Sequence, residues 1–315
     1  MSHFENYQNV SRFYDNTRTA VGVNIIRNQL ANGGLPINKQ LLVDAGCGTG
    51  LYSAALVRNV RKVEAIDLNA GMLKIAKEKM KLEEKNGLIN FHLSSIDSLP
   101  LDEDSADAVM INQVLHHLPD NSTSGWANHE KVFREFWRVL KPGGMLIINS
   151  CSPEQIKCGF WFYNLIPEAM QKMTLKVIPL SVLNNLLKNC GFSNTVQEVD
   201  MDLVLQSDAY FYSEGIFNAN WRSGDSIWSL VPEEILSKVL KNVFKMRKDG
   251  KLEAYLKHHD QNRKNTGQVT FSISALRSIA SIFLTFLTNA AEYRPVPQPA
   301  STSNCLFIGS SPFSS

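Results

Sequence analysis

The sequence has almost no net charge, because 32 lysines and arginines are balanced by 30 aspartates and glutamates in its 315 residues. A formal charge of +2 gives no electrostatic footprint for a nucleic-acid backbone or an anionic membrane. We therefore expect no nucleic-acid partner. Because 44% of the residues are hydrophobic, the chain can still bury a sizeable core.

Cysteines are also scarce, and they are scattered at Cys47, Cys151, Cys158, Cys190 and Cys305 without any Cys-x-x-Cys pair. An odd number at irregular spacing does not indicate a disulfide framework or a zinc site. The first residues, MSHFENYQNV, lack the basic start and apolar run of a secretory signal. These absences favour a cytoplasmic protein.

Long hydrophobic runs and metal-ligand clusters are missing too. The most apolar stretch, SIASIFLTFLTNAA at 278–291, is shorter than the roughly 20 residues that cross a bilayer, so we expect no membrane span. It lies in a tail, 276–315, where we predict an apolar helix followed by a disordered Pro/Ser-rich segment. His258, His259 and Asp260 have no further ligand at a suitable spacing, so no metal is expected.

What the sequence does contain is a regular alternation of strand-like and helix-like runs over 41–150. The strand-like runs include QLLVD, KVEAID and ADAVMIN, and the helix-like runs include HEKVFREFWRVL. Such alternation is typical of βαβ units, so we predict an α/β fold with a doubly wound, mostly parallel sheet. Residues 1–40 read as an N-terminal helical arm. Residues 151–275 read as a helical substrate cap that also supplies the last strands of the sheet.

The first predicted strand ends in a carboxylate and a glycine-rich turn, LLVDAGCGTG at 41–50. Ligands of doubly wound sheets bind at the carboxyl ends of the strands, where glycine lets the backbone approach and a helix N-terminus favours an anion. Asp44 would repel a pyrophosphate, and the spacing is G-x-G-x-G instead of G-x-G-x-x-G. A ligand with both a cationic group and a carboxylate fits better, and S-adenosylmethionine (SAM) is such a ligand.

Four segments together resemble the class I SAM-dependent methyltransferases, small-molecule type. They are LLVDAGCGTG, VEAIDLNAGMLKIA, LPLDEDSADAVMINQVLHHL and VFREFWRVLKPGGMLI. The resemblance implies that Asp44, Ala45 and Gly46 face the methionine part of SAM. Asp67, at the end of the second strand and 21 residues after Gly46, would bind the ribose hydroxyls.

The same resemblance places Leu68 and Met72 on the adenine side of the cofactor. Where the family usually has an aspartate that recognises the adenine amino group, this chain has LSSIDSLP, with Ser95 at the matching position. Either Ser95 and the backbone N–H of Ile96 make this contact, or Asp97 does so from two residues further on.

Two further pairs of residues complete the cofactor site that the resemblance implies. Asn112 and Gln113 would close the pocket after the fourth strand. Tyr14 and Arg18, in FYDNTR, resemble an arm that folds over the cofactor, although they could also pack as the start of a helix.

Histidines and aromatic residues suggest where the methyl acceptor binds. His116 and His117 follow the fourth strand and could take a proton from the acceptor, although methyl transfer often needs little beyond positioning. Trp161 and Tyr163 are candidates for the wall of the acceptor pocket, although aromatic clusters in a cap more often form its core.

The predicted function is methyl transfer from SAM to N, O or S of a small molecule by in-line displacement. Two alternatives stay open. One is a methyltransferase that acts on RNA or protein, and the other is a non-catalytic SAM-binding protein.

We expect SAM and its demethylated product S-adenosylhomocysteine (SAH) to raise the melting temperature of the purified protein, because Asp44 suits a cationic ligand. NAD should have no such effect, since Asp44 would repel its pyrophosphate. Thermal-shift measurements with the three ligands test this expectation, and equal stabilisation by NAD would contradict it.

Overall fold

The computed structural model describes residues 19–276, which form a seven-stranded sheet flanked by helices. The strands are β1 Leu41–Ala45, β2 Lys62–Asp67, β3 Ile89–Leu93, β4 Ala106–Asn112, β5 Leu140–Ser150, β6 Phe192–Glu198 and β7 Thr270–Leu276. The first helices are α1 Val23–Ala31, α2 Leu51–Leu56, α3 Ala70–Lys79, α4 Lys81–Lys85, α5 Ala127–Val139 and α6 Pro153–Cys158. They are followed by α7 Pro167–Lys176, α8 Leu180–Asn189, α9 Ala219–Ser223, α10 Glu233–Lys248, α11 Leu252–Asp260 and α12 Arg263–Thr266. Short 3-10 helices span Ile37–Lys39, Leu115–His117, Trp161–Leu165, Ser207–Phe211, Ser213–Phe217 and Ser226–Leu230.

The strand order is β3-β2-β1-β4-β5-β7-β6, and the first five strands pair in parallel. β7 runs antiparallel to both β5 and β6. The strand order reverses between β1 and β4, which is the place where doubly wound sheets bind their ligands. The predicted α/β fold with a mostly parallel sheet is confirmed, and no helix within residues 19–276 is long and apolar enough to cross a membrane.

Both faces of the sheet are covered, as the apolar character of its strands requires. Along β1, Leu42 packs into the apolar cluster on one face and Val43 into the cluster on the other. Helix α5 covers the second face with side chains at helical spacing, among them Phe133 and Phe136, which are fully buried. This alternation rigidly fixes which residues reach the carboxyl edge of the sheet.

The segment between β5 and β7 forms a cap with its own aromatic core. Trp161 and Tyr210 are fully buried there, and the indole Nε1 of Trp161 donates to the carbonyl oxygen of Tyr210 over 2.8 Å. The Tyr210 hydroxyl in turn donates to Asp260 Oδ1 over 2.7 Å, while burial raises the pKa of this tyrosine. Asp260 also pairs with Arg263, whose Nε lies 2.8 Å from the same oxygen. The cap is therefore held by a buried ionic cluster as well as by apolar packing. The predicted tail helix at 276–315 lies outside the described residues.

We expect Asp260→Ala to lower the free energy of unfolding by about 3 to 5 kcal/mol, because it leaves the Arg263 guanidinium buried without its partner. Urea unfolding followed by circular dichroism measures the change. Glu214→Ala is the matched control, since it removes a pair of 3.5 Å with Arg247 whose side chains are 44% and 40% exposed. That substitution should alter stability by less than about 1 kcal/mol, and equal effects of the two variants would contradict the expectation.

Candidate active site

A cavity of about 470 Å³ opens at the carboxyl ends of β1, β2 and β4, beside the reversal of strand order. Its wall is built mainly from the turn after β1, the start of α3 and the segment after β4. Leu205 of the cap and Thr19, which precedes α1, complete the wall from the other side. The cavity is therefore bounded by the sheet, by the cap and by the chain that leads into the first helix.

The glycine turn after β1 brings backbone, without side chains, to the edge of this cavity. Gly46 has φ of 77°, and a Cβ at this position would lie 2.6 Å from Val114 Cγ2. Both facts require glycine there. Cys47, which follows, is a buried free thiol, and burial raises its pKa, so it is not an activated nucleophile.

Asp44 is the most deeply buried acid on the cavity wall, with 2% of its surface exposed. Its Oδ2 accepts a hydrogen bond of 2.7 Å from Ser53 Oγ on α2. Burial raises the pKa of Asp44 to about 7, and the nearby Asp67 adds to the shift in spite of the Ser53 bond. A carboxyl group in this state is stabilised in its ionised form by a cation, which agrees with the expected ligand.

Asp67 ends β2 and is held by backbone donors on both sides. Its Oδ2 accepts from Gly48 N–H and its Oδ1 from Asn69 N–H, both over 2.8 Å. Burial nonetheless raises the pKa of Asp67. Each carboxylate oxygen keeps a further lone pair, so the group can accept hydrogen bonds from ligand hydroxyls. Asn69 caps α3 by accepting from Met72 N–H over 3.1 Å, which sets the direction of the wall residues Leu68 and Met72.

The region beyond β3 brings all three candidates for the adenine contact to the cavity, namely Ser95, Ile96 and Asp97. Asp97 Oδ2 lies 2.7 Å from Lys131 Nζ, and this hydrogen bond lowers the pKa of Asp97. Asp97 is therefore ionised and already paired. The choice between Ser95 with Ile96 and Asp97 stays a prediction.

The side chain of Asn112 indicates whether the cavity suits a polar ligand. It lines the cavity at the end of β4, and both its Oδ1 and its Nδ2 are buried without a hydrogen-bond partner. An unmatched buried carboxamide is destabilising, whereas a ligand with one donor and one acceptor would satisfy it. The wall thus combines three acids, the backbone of a glycine turn and an unmatched amide, which suits a ligand with hydroxyl, amino and cationic groups.

The two histidines after β4 differ in their positions. His117 lines the cavity and His116 does not, although their ring centroids are only 4.0 Å apart. A third histidine, His129, was not singled out from the sequence. It is fully buried, and its Nδ1 lies 2.8 Å from Asp120 Oδ2. Burial lowers the pKa of His129, so the pair stabilises the loop before α5 with a neutral ring.

Several other expectations need correction. Trp161 and Tyr163 lie in the aromatic core of the cap and not on the cavity wall, with 0% and 3% of their surfaces exposed. The Tyr163 hydroxyl lies 3.2 Å from both carboxylate oxygens of buried Asp225, so its polar group serves the cap. Ala45 is likewise buried in β1 and is absent from the wall. Tyr14 and Arg18 lie outside the described residues.

Comparison with known proteins supports the cofactor assignment. A methyltransferase-domain family model matches residues 43–148. A demethylmenaquinone methyltransferase of Clavibacter sepedonicus is 28% identical over 175 residues, which cover 55% of this chain and 67% of that protein. Methyltransferase GfsG of Streptomyces halstedii is 31% identical over 108 residues, which cover 34% of this chain and 36% of that protein.

Solved structures share the fold at low sequence identity. A candidate methyltransferase from an antibiotic biosynthesis pathway of Anabaena variabilis superimposes with a TM-score of 0.64 at 21% identity, covering 82% of this chain and 98% of that one. A Haemonchus contortus phosphoethanolamine N-methyltransferase in complex with SAM gives 0.53 at 18% identity, covering 86% and 57%. These superpositions cover more than four fifths of the chain, whereas the family model matches residues 43–148.

We expect the affinity for SAM, relative to that for SAH, to rise about tenfold between pH 6 and pH 8, because the sulfonium favours ionised Asp44 and its pKa is about 7. SAH has the same amino and carboxyl groups without the sulfonium, so the ratio isolates this effect. Titration calorimetry at the two pH values measures it. In Asp44→Asn the ratio should stay constant with pH, and an unchanged ratio in the wild type would contradict the expectation.

Proposed function

We propose that this chain, which belongs to the class I SAM-dependent methyltransferases, transfers the methyl group of SAM by in-line displacement to a small-molecule acceptor. The observation that carries the proposal is the composition of the cavity wall. Residues expected to bind the cofactor, such as Asp44 and Asp67, share one cavity with Leu205 of the cap. Cofactor and acceptor would therefore meet inside a site closed by the cap.

The chemistry supplied by SAM is a methyl group made electrophilic by its attachment to a sulfonium. The chain itself provides position and shielding. Asp44 would stabilise the cationic part of the ligand, Asp67 would bind the ribose hydroxyls, and Asn112 would match polar groups of the cofactor. Holding donor and acceptor in line removes much of the entropic cost of bringing them together. For many nucleophiles this positioning is sufficient for methyl transfer.

One contact fixes the wall residue within the cap, and another links the cap to the chain before α1. Leu205 N–H donates to Oε1 of the fully buried Gln268 over 2.8 Å, which fixes the wall residue from behind. Thr19 and Ser207 join their hydroxyl oxygens at 2.8 Å, so the chain before α1 is linked to the cap. A site covered by the cap in this way would shield the reacting atoms from water and surround a small acceptor, whereas a polymer needs an open groove.

The charge of the wall supports an acceptor without a phosphate or other strong anionic group. Among the wall residues within 19–276, the acids are Asp44, Asp67 and Asp97, and there is no lysine or arginine. An anionic acceptor would meet like charge without a compensating cation. Related proteins named for menaquinone and ubiquinone biosynthesis support an acceptor of small-molecule size. His117 is the wall residue that could accept a proton where the acceptor needs a base.

We expect Asp67→Ala to weaken SAM and SAH binding by about 1 to 3 kcal/mol, because ligand hydroxyls would lose their buried acceptor. Titration calorimetry with both ligands measures the loss. Asp202→Ala, which changes an exposed acid outside the cavity, should leave both affinities unchanged. Unchanged binding in Asp67→Ala would show that the ribose lies elsewhere.

The acceptor class can be tested with SAM labelled in its methyl group, supplied with metabolite fractions, RNA and protein fractions of a cell extract. Label in a small-molecule product supports the proposal. Label confined to RNA or protein would assign the chain to the first alternative. SAH binding without any labelled product would favour a non-catalytic SAM-binding protein.

A further inference from the structure

A continuous chain of hydrogen bonds runs from the backbone before α1 to the cavity wall. The Tyr52 hydroxyl donates to the carbonyl oxygen of Val21 over 3.1 Å and accepts from Asn149 Nδ2 over 2.9 Å. Asn149 Oδ1 in turn accepts from Gln113 Nε2 over 2.9 Å. Gln113 and Tyr52 both line the cavity, while Asn149 lies behind them with 1% of its surface exposed.

The direction of every bond in this chain follows from its first member. The Val21 carbonyl can only accept, so the Tyr52 hydroxyl donates to it and offers its oxygen to Asn149. Asn149 must then present Nδ2 to Tyr52 and Oδ1 to Gln113. Gln113 must therefore use its Nε2 as the donor, which leaves Oε1 as the polar atom of this side chain that can face a ligand. Cys151 Sγ approaches the same oxygen at 3.5 Å, a weak contact that leaves one lone pair available.

The backbone at Gln113 is held in a conformation that glutamine seldom adopts. Its φ is +57°, in the left-handed region, directly after β4. Gln113 N–H donates to the Asn149 carbonyl oxygen over 2.8 Å, so the same partner fixes both the backbone and the side chain. Strain of this kind persists where the surroundings enforce it, and it is concentrated at functional sites.

We propose that Gln113 selects and orients the methyl acceptor, with Oε1 accepting a hydrogen bond from the O–H, N–H or S–H group that attacks the methyl carbon. The inference rests on the proposed function and narrows it to acceptors whose nucleophilic atom carries a hydrogen. Tyr52 and Asn149 are positioning residues, because they fix which end of the Gln113 carboxamide faces the cavity.

A lone pair of the acceptor atom X forms the X–CH3 bond while the C–S bond breaks, and its electron pair stays on sulfur, which gives neutral SAH. The hydrogen that X carried is held by Gln113 Oε1 during the attack and leaves as a proton to water afterwards, since an amide oxygen is too weak a base to keep it. The products are the methylated acceptor, SAH and one proton.

Acceptors without such a hydrogen should be rejected. A tertiary amine, a pyridine nitrogen or a thioether, with its lone pair directed at the methyl carbon, would leave Oε1 without a hydrogen-bond donor. A site built to hydrogen-bond its substrate discriminates strongly against analogues that lack the matching group. The orientation of one carboxamide thus sets a chemical class of substrate.

The test compares matched acceptors in the labelled-methyl assay. One set carries the hydrogen on the attacking atom (phenol, catechol, thiophenol and aniline) and the other lacks it (pyridine, N,N-dimethylaniline and thioanisole). We expect the wild type to label members of the first set only. Labelling of the second set at a comparable rate would overturn the inference while leaving the proposed function intact.

Variants separate the orienting role from a structural one. Gln113→Leu removes Oε1 and should lower kcat for the labelled acceptor about ten- to a hundredfold. Gln113→Glu keeps an oxygen for the acceptor but can donate to Asn149 Oδ1 only when its carboxyl group is protonated, so it should restore transfer at low pH and not at neutral pH. Tyr52→Phe removes the hydroxyl that fixes the direction of the hydrogen bonds, so the carboxamides of Asn149 and Gln113 can each rotate by 180°. Because Oε1 of Gln113 would then face the acceptor only part of the time, kcat should fall about tenfold. In Tyr52→Phe, which keeps the ring on the cavity wall, the SAH affinity, measured by calorimetry, should stay within about threefold.

Gln197→Leu is the matched control, because Gln197 Nε2 donates to Asn184 Oδ1 over 3.2 Å in a similar Gln–Asn pair away from the cavity. It should leave kcat unchanged. Equal kcat in Gln113→Leu and the wild type would overturn the inference, as would a tenfold loss of SAH affinity in Tyr52→Phe, which would assign the chain of bonds to cofactor binding. If the wild type binds SAH but labels no acceptor, the proposed function fails and this inference fails with it.

Discussion

The burial of two carboxylates at the ends of adjacent parallel strands is the constraint on which the rest of the site depends. Asp44 and Asp67 lie on β1 and β2, and burial raises the pKa of both. The buried Asp44 and the half-buried Asp67 are unfavourable in the ligand-free protein, which tolerates them through Ser53 and two backbone N–H groups. A cationic ligand with hydroxyl groups removes this unfavourable free energy on binding. The relief adds to the affinity for such a ligand.

Much of the sheet and of the cavity wall at the ends of β1 and β2 could be predicted from the sequence, because local chemistry determines both. Short continuous apolar runs specify the strands, as expected for a sheet covered on both faces, and a carboxylate before a glycine turn lies at the βα junction where doubly wound sheets bind ligands. The wall includes Asp67, Leu68 and Met72, which follow directly from the position of β2 and the Asn69 cap of α3. These wall residues are close together in the sequence as well as in space.

The acceptor half was less accessible to sequence reasoning, because it depends on contacts between residues far apart in the chain. Trp161 looked like a pocket residue, yet its indole N–H is used by Tyr210, 49 residues later, and the ring is fully buried. Aromatic composition alone does not distinguish a core from a wall. Likewise, nothing in the sequence indicated that Asn149 would join Tyr52, 97 residues earlier, to the segment after β4.

The cap therefore contributes to the site through position more than through its own chemistry. Its aromatic core and the Asp260–Arg263 pair make it rigid, and Leu205 is the cap residue on the wall. The polar groups that line the cavity come from the ends of the parallel strands and the turns that follow them, where the backbone is held by the sheet. An apolar cap over the polar carboxyl edge of the sheet lowers the effective dielectric constant around the reacting atoms. Each hydrogen bond made at that edge is therefore stronger than it would be in water, and the cap needs no charged group for this effect.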